Sequence, residues 1–117
     1  MTWAEMQIAP IKHSNPRNVA YEYDETLIAP GNGKAILIPD SIRWFSTTMT
    51  FTLGASGKIQ WTTDLISVVK SGAGITWQDS WWGEADETYM DMYIPIVSAI
   101  RIVQILAGTM KVTMRAQ

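Results

Sequence analysis

Apolar and polar residues alternate with a period of two through much of this chain, the pattern of β-strands with one buried face. In "TTMTFTLG", Met49, Phe51 and Leu53 alternate with Thr48, Thr50 and Thr52. "GASG" breaks the run, and "KIQWTTD" then sets Ile59 and Trp61 on one face with Gln60 and Thr62 on the other. Residues 49–63 therefore read as a β-hairpin closed by Gly54 to Gly57. "AIRIVQILA" at 99–107 is apolar on both faces apart from Arg101 and Gln104, as suits a central strand between two layers. After Gly108, "TMKVTM" places Met110, Val112 and Met114 against Lys111, Thr113 and Arg115, so a second hairpin is expected to turn at Ala107 and Gly108.

Between these segments, "GITWQ" and "TYMDMYI" read as strands, while "SGAG" and "DSWWGEAD" read as loops. The strongest helical signal is one turn in "PDSIRWFS", residues 39–46, where Ser41 is available as an N-cap before β-branched and aromatic residues argue against continuation. The first third has a different texture. Pro10, Pro16 and Pro30, the "HSNPRN" cluster and "PGNGK" make residues 1–33 an extended arm ending in a loop, with one strand in "NVAYEYDETLIA". Residues 34–117 form the folded domain. Seven or so strands in this span imply an all-β, antiparallel β-sandwich of jelly-roll or immunoglobulin-like type, with a small barrel as the alternative.

Composition narrows the functional classes. A chain of 117 residues is expected to form one domain, and a domain of that size buries roughly 65% of its extended surface. With no cysteine, disulfides, thiolate catalysis and Cys-based zinc sites are excluded. A net charge of −2 with scattered basic residues gives no footprint for nucleic acid. The start "MTWAEMQIAPIK" is not a secretion signal, and no apolar run reaches the roughly 20 residues of a spanning helix, so no membrane partner is expected. Charged residues make up only 17% of the chain against an average near 25%. The shortage is expected where other subunits cover part of the exterior, although neutral polar residues could fill it instead.

Reaction chemistry finds little support. His13, the one histidine, lies in a Pro/Asn-rich segment with no nucleophile elbow near it. Asp79, Glu84, Asp86, Glu87 and Asp91 crowd an acidic stretch with the oxygen donors of a calcium site but not the ligand spacing of an EF-hand loop, and a solvated acidic loop is the simpler reading. No catalytic residue, metal or cofactor is therefore assigned. Aromatic residues are the better lead. Six tryptophans exceed what one small core needs. In an extended segment neighbours point to opposite sides, so one of Trp81 and Trp82 faces outward, where tryptophan serves as an interface anchor. Trp61 and Trp77 are assigned to the core, and Trp3, Met6, Ile8, Trp81 and Trp82 to contact with another chain. Removing residues 1–12 is expected to leave the fold intact and free it from its partners. An alternative use of Trp81 and Trp82, beside Asp79 or Glu84, is stacking on sugar rings in a carbohydrate- or receptor-binding module.

The order "SGKIQWTTD", "GITWQDSWWGE", "YIPIVSAIRIVQILAGTMKVTMRAQ" resembles a class of small virion proteins of tailed bacteriophages. In that class a strand ending in T-x-D follows a Ser-Gly turn, a glycine-led strand carries a tryptophan, and a Pro-x-x-x-Ala-[IL]-Arg strand precedes a terminal strand. The matching residues are Ser56, Gly57, Thr62, Asp64, Gly74, Trp77, Pro95, Ala99, Ile100, Arg101 and Gly108, within residues 49–117. The resemblance implies a non-enzymatic β-sandwich of the phage particle, most simply a capsid decoration or cement protein. It further implies a homo-oligomer, a trimer, seated on the major capsid protein of a virion assembled in the host cytoplasm. Tail and head-to-tail components share such sandwiches.

Overall fold

The computed structural model describes residues 3–8, 21–40, 42, 45–80, 83–93 and 97–117, and for 89–93 the backbone. Among these residues the alternation becomes eleven strands and one short helix. In chain order they are β1 (Trp3–Glu5), β2 (Gln7–Ile8), β3 (Tyr21–Leu27), β4 (Gly31–Asn32), β5 (Ala35–Leu37), β6 (Phe45–Thr52) and β7 (Ser56–Thr62). Helix α1 (Ile66–Ser71) follows, then β8 (Gln78–Asp79), β9 (Tyr89–Tyr93), β10 (Ala99–Leu106) and β11 (Thr109–Ala116).

The first sheet runs β1-β5-β10-β7-β8, with β4 also paired to β10, and the second runs β2-β3-β11-β6-β9. All pairings are antiparallel except β1 with β5. The blocks β5-β10-β7-β8 and β3-β11-β6-β9, with the chain switching sheets at most connections, are the arrangement of a jelly roll. Of the connectivities the sequence left open, the immunoglobulin-like and small-barrel forms are not adopted.

Neither expected hairpin forms. β6 lies in the second sheet and β7 in the first, and likewise β11 and β10. β6 pairs instead with β11 over eight residues, Phe45↔Ala116 to Thr52↔Thr109, and β7 pairs with β10. Both turns are corners from one layer to the other. Strands facing each other across a core show the same alternation as strands side by side, so the local pattern is identical and only the distant partner decides.

The two corners nest. Gly108 has φ +134°, and a Cβ there would lie 2.7 Å from the Thr52 carbonyl oxygen and 2.8 Å from the Ala55 nitrogen. Gln104, almost wholly buried, pins the β10–β11 corner from inside: its Nε2 donates to the Leu106 carbonyl at 3.0 Å and the Gly108 carbonyl at 2.8 Å. Gly57 has no such conformational need, yet a Cβ there would sit 2.6 Å from the Val103 carbonyl oxygen and 2.5 Å from Met110 Sδ. Glycine is required there because the layers approach so closely.

The main core lies between the sheets: Ile36, Phe45, Met49, Ile59, Ile100, Ile102, Met110, Val112 and Met114 are all closed to solvent. Met49, Ile59 and the three methionine and valine positions of β11 thus face inward as their alternation requires. Trp61 packs against this core while keeping one edge exposed. Leu53 breaks the expectation: it is 85% exposed with φ +57°, because the chain turns out of its strand there.

A second, smaller cluster covers the outer face of the first sheet. Ala35, Leu37, Val69 and Ala99 are buried there, with Trp3, Ile75 and Trp77 against them. Val69 comes from α1, which ends at Gly72 with φ +74° and its N–H bonded to the Val69 carbonyl. The described helix lies at 66–71; of the 39–46 segment, residues 41, 43 and 44 lie outside the described residues, and Phe45 and Ser46 belong to β6. β8 is shorter than the "GITWQ" strand, since residues 74–77 serve as a flap over β10 instead.

The expected boundary between residues 33 and 34 falls inside the sandwich. β1 pairs with β5, β2 with β3, and β3 is an integral strand of the second sheet beside β11. Residues 3–8 therefore lie along their own domain, with β1 in one sheet, β2 in the other and Met6 turned into the core between them.

Candidate functional site

The residues that carry the phage resemblance build a frame. Ser56 Oγ donates to Glu84 Oε2 at 2.8 Å, and Gly57 and Ala85 exchange backbone hydrogen bonds of 2.9 and 2.7 Å, which ties the 83–85 loop to β7. Thr62 Oγ1 accepts the Asp64 N–H at 3.1 Å, and Asp64 Oδ2 accepts the Thr76 N–H at 2.6 Å. The T-x-D sequence thus clamps the flap so that Trp77 lies on the outer face of the first sheet. There the Arg101 guanidinium stacks on the Trp77 ring at 4.4 Å from its centroid. Ala99 and Ile100 are buried on the two faces of β10, the first beneath the flap and the second in the main core. Pro95 lies outside the described residues.

A polar row crosses the same face in register. Arg101, Gln60 and Asp79 are cross-strand partners on β10, β7 and β8. Arg101 Nε donates to Gln60 Oε1 at 2.8 Å, Gln60 Nε2 donates to Asp79 Oδ1 at 2.8 Å, and Lys58 Nζ approaches the same oxygen at 3.0 Å. These hydrogen bonds, from Gln60 first and Lys58 second, hold the Asp79 carboxyl below its ordinary range. Partial burial lowers the pKa of the Arg101 guanidinium. Asp79 and Glu84, the carboxylates named for a sugar or calcium site, are thus engaged by their own chain. Asp86 and Glu87 are exposed, and no group of three metal-ligating side chains occurs among the described residues. His13 lies outside them.

Glu25 escaped the sequence reading although its signal is there. In "YEYDETL" the inward positions of β3 are Tyr21, Tyr23, Glu25 and Leu27, opposite Ala116, Met114, Val112 and Met110. A carboxylate therefore stands where the alternation calls for an apolar side chain. Its Oε2 accepts the Lys34 N–H at 3.2 Å, while Oε1 is buried without a partner. Burial pushes the Glu25 pKa up, against the opposing effects of the Lys34 N–H and charge. Burial, followed by the Glu25 charge, raises Tyr23 as well.

The contact residues expected from sequence are scattered. Met6 is 6% exposed and belongs to its own core, so it is not offered to a partner. Trp3 is half-buried in the outer cluster, with Lys70 Nζ 4.8 Å from its ring centroid. Both were assigned outward because a proline-rich arm suggested no local core; the pairing of β1 with β5 supplies one. Ile8 is 79% exposed, and Trp81 and Trp82 lie outside the described residues.

A different apolar surface stands out. The connections β3–β4, β6–β7 and β10–β11 meet at one end of the sandwich, as the partners Leu27↔Met110, Thr52↔Thr109 and Gly31↔Gln104 require. They present Ile28 at 80% exposure, Leu53 at 85% and Leu106 at 55%. Residues 28–31, 52–56 and 105–109 contain no charged side chain. Leu53 is also the one non-glycine residue with positive φ among those described. An exposed leucine in a strained conformation gains nothing from its own fold.

No family model matches this chain, and no curated protein matches it. Solved structures of similar shape include the Yersinia pseudotuberculosis-derived mitogen, at 13% identity over 86% of this chain and 85% of that one, with a TM-score of 0.38. At that score the likeness carries no functional implication.

Proposed function

We propose that this chain is a non-enzymatic structural protein of a tailed-bacteriophage virion, of the capsid decoration or cement type. It works as a homo-oligomer, a trimer, that bridges subunits of the major capsid protein. The observation that carries this reading is the uncharged end formed by Ile28, Leu53 and Leu106. Large apolar side chains gathered where a monomer normally places polar turns are the mark of a surface meant to be covered. The phage-like frame residues fit the same role, since they hold the corners and the flap in place. Jelly rolls also occur in viral capsid proteins and in lectins, an analogy of fold only. A cement protein gains its effect from many modest contacts, so one apolar end per copy is enough.

The test is the native mass of the protein by light scattering, with cosedimentation on capsids that lack a decoration protein. Leu53→Gly separates contact from fold: it removes an exposed side chain and relieves the positive φ, so thermal stability holds or rises while association weakens. A wild-type protein that remains monomeric at high concentration and stays in the supernatant refutes the proposal.

A further inference from the structure

The first sheet is broken along one edge of β10. β4 pairs with β10 at Val103↔Asn32 and Gln104↔Gly31, and β5 pairs with it at Ala99↔Leu37 and Ile100↔Ile36. Between them Gly33 and Lys34 leave the ladder, tied to β10 by the Gly33 N–H bonded to the Ile102 carbonyl at 2.7 Å and to β3 by the Lys34 N–H on Glu25. The clamped flap rises on the other side. What lies between is an open cleft of about 650 Å³, lined by Glu25, Asn32, Gly33, Lys34, Gly74, Ile75, Trp77 and Arg101 among others. That volume falls within the range of small-molecule sites.

The lining has a definite chemistry. Arg101 enters with its plane fixed by Trp77 and its Nε fixed by Gln60, so the terminal nitrogens are preorganised donors. Glu25 reaches the gap from the second sheet: its Oε2 accepts the Lys34 N–H and keeps a further lone pair for a ligand, while the unpartnered Oε1 is buried. Asn32, exposed on β4, adds an amide that both donates and accepts. Ile75 and the Trp77 ring supply an apolar wall. Gly33 packs directly against the buried Glu25 Oε1, where a Cβ would stand 2.9 Å away.

A carboxylate, a guanidinium and an amide around an aromatic wall suit a ligand whose neighbouring groups each donate and accept. A lone anion would face Glu25, and a lone cation would face Arg101 and Lys34. We infer that the cleft between the 72–77 flap and the β4–β5 break binds a neutral saccharide unit, with adjacent hydroxyls shared between Glu25, Asn32 and Arg101. The site is separate from the apolar end and holds whether or not the chain decorates a capsid. Loss of sugar binding and loss of assembly are therefore distinguishable.

The experiment is saturation-transfer NMR and calorimetry on the intact protein with the methyl glycosides of glucose, galactose, mannose and N-acetylglucosamine. At least one is expected to bind with millimolar affinity, and Asn32→Ala and Glu25→Gln each to weaken it about tenfold. Asn32 is exposed and Glu25→Gln keeps the side-chain volume, so both variants fold; Arg101→Lys, which keeps the charge and loses the fork, reports the guanidinium. Three results overturn the inference. They are no binding by any of the four at tens of millimolar, binding unchanged in all three variants, or displacement of the sugar by sodium acetate at equal concentration, which makes the cleft an anion site.

Discussion

Replacing Gly57 by alanine puts the nesting of the two layers to a direct test. Gly57 is not in the left-handed region, so the substitution carries no conformational penalty of that kind, and its whole cost is steric. The new methyl would lie 2.6 Å from the Val103 carbonyl oxygen, 2.5 Å from Met110 Sδ and 2.7 Å from Met110 Cε. Met110 can yield through its flexible side chain, although it is fully buried. Val103 cannot, because its backbone is held by the ladder to Lys58 on one side and Asn32 on the other. Forcing one methyl into a site that tight costs about 2–4 kcal/mol, which in a domain of this size lowers Tm by roughly 10–20 °C. Urea unfolding followed by circular dichroism measures it. Gly54→Ala is the control: that position has φ +81° but open space around its Cβ, so only the backbone strain of about 1 kcal/mol appears. In a Met110→Ala background the Gly57→Ala penalty should shrink without vanishing, as the sulfur contact goes and the carbonyl contact stays. A loss below about 1 kcal/mol in the wild-type background would refute the close approach of the corners.

Other substitutions probe the remaining features. Glu25 has a folded-state pKa above its unfolded value, so its ionised form weakens the fold: stability should fall as pH rises from the unfolded toward the folded pKa. Glu25→Gln should remove that slope and raise stability at pH 7, as urea titrations at several pH values will show. Deleting residues 1–8 takes away β1, β2 and the buried Met6, and should cost at least about 3 kcal/mol; a truncated chain of unchanged stability would mean that these strands are not docked. Trp77→Ala removes a half-buried ring together with its stacking on Arg101 and should cost about 2 kcal/mol by thermal denaturation.

The strands were largely legible because their signal is local. Met110, Val112 and Met114 point inward as the alternation demands, and β9 and β10 fall where their residues suggest. Pairing was not legible. "GASG" and "AG" suit a hairpin as well as a corner, and the choice belongs to Thr52 meeting Thr109 rather than anything within either turn. The first residues were misassigned for a related reason. Met6 alternates with Ala4 and Ile8, but Ile8 stays exposed, and the place of Met6 in the core follows from β1 and β2 joining different sheets on either side of it. Arg101 was noticed as a polar residue in an apolar strand, but its ring partner is 24 positions earlier (101 − 77), beyond any periodicity. Glu25 alone could have been found, as the acid in an otherwise aromatic and aliphatic inward row.

The order of strands also governs when this chain can fold. β10 and β11 are interior strands of their sheets, yet they follow the other described strands in the chain. The Arg115 guanidinium closes a hydrogen bond to Asp24 across 91 positions. During translation the earlier strands wait beside empty ladder positions, and the hydrophobic interior cannot assemble until β11 has emerged. Folding is thus governed by long loop closures and slow, on the scale of milliseconds to seconds. A chain stalled or clipped before β11 would display open sheet edges to its neighbours, the condition under which β-rich chains aggregate.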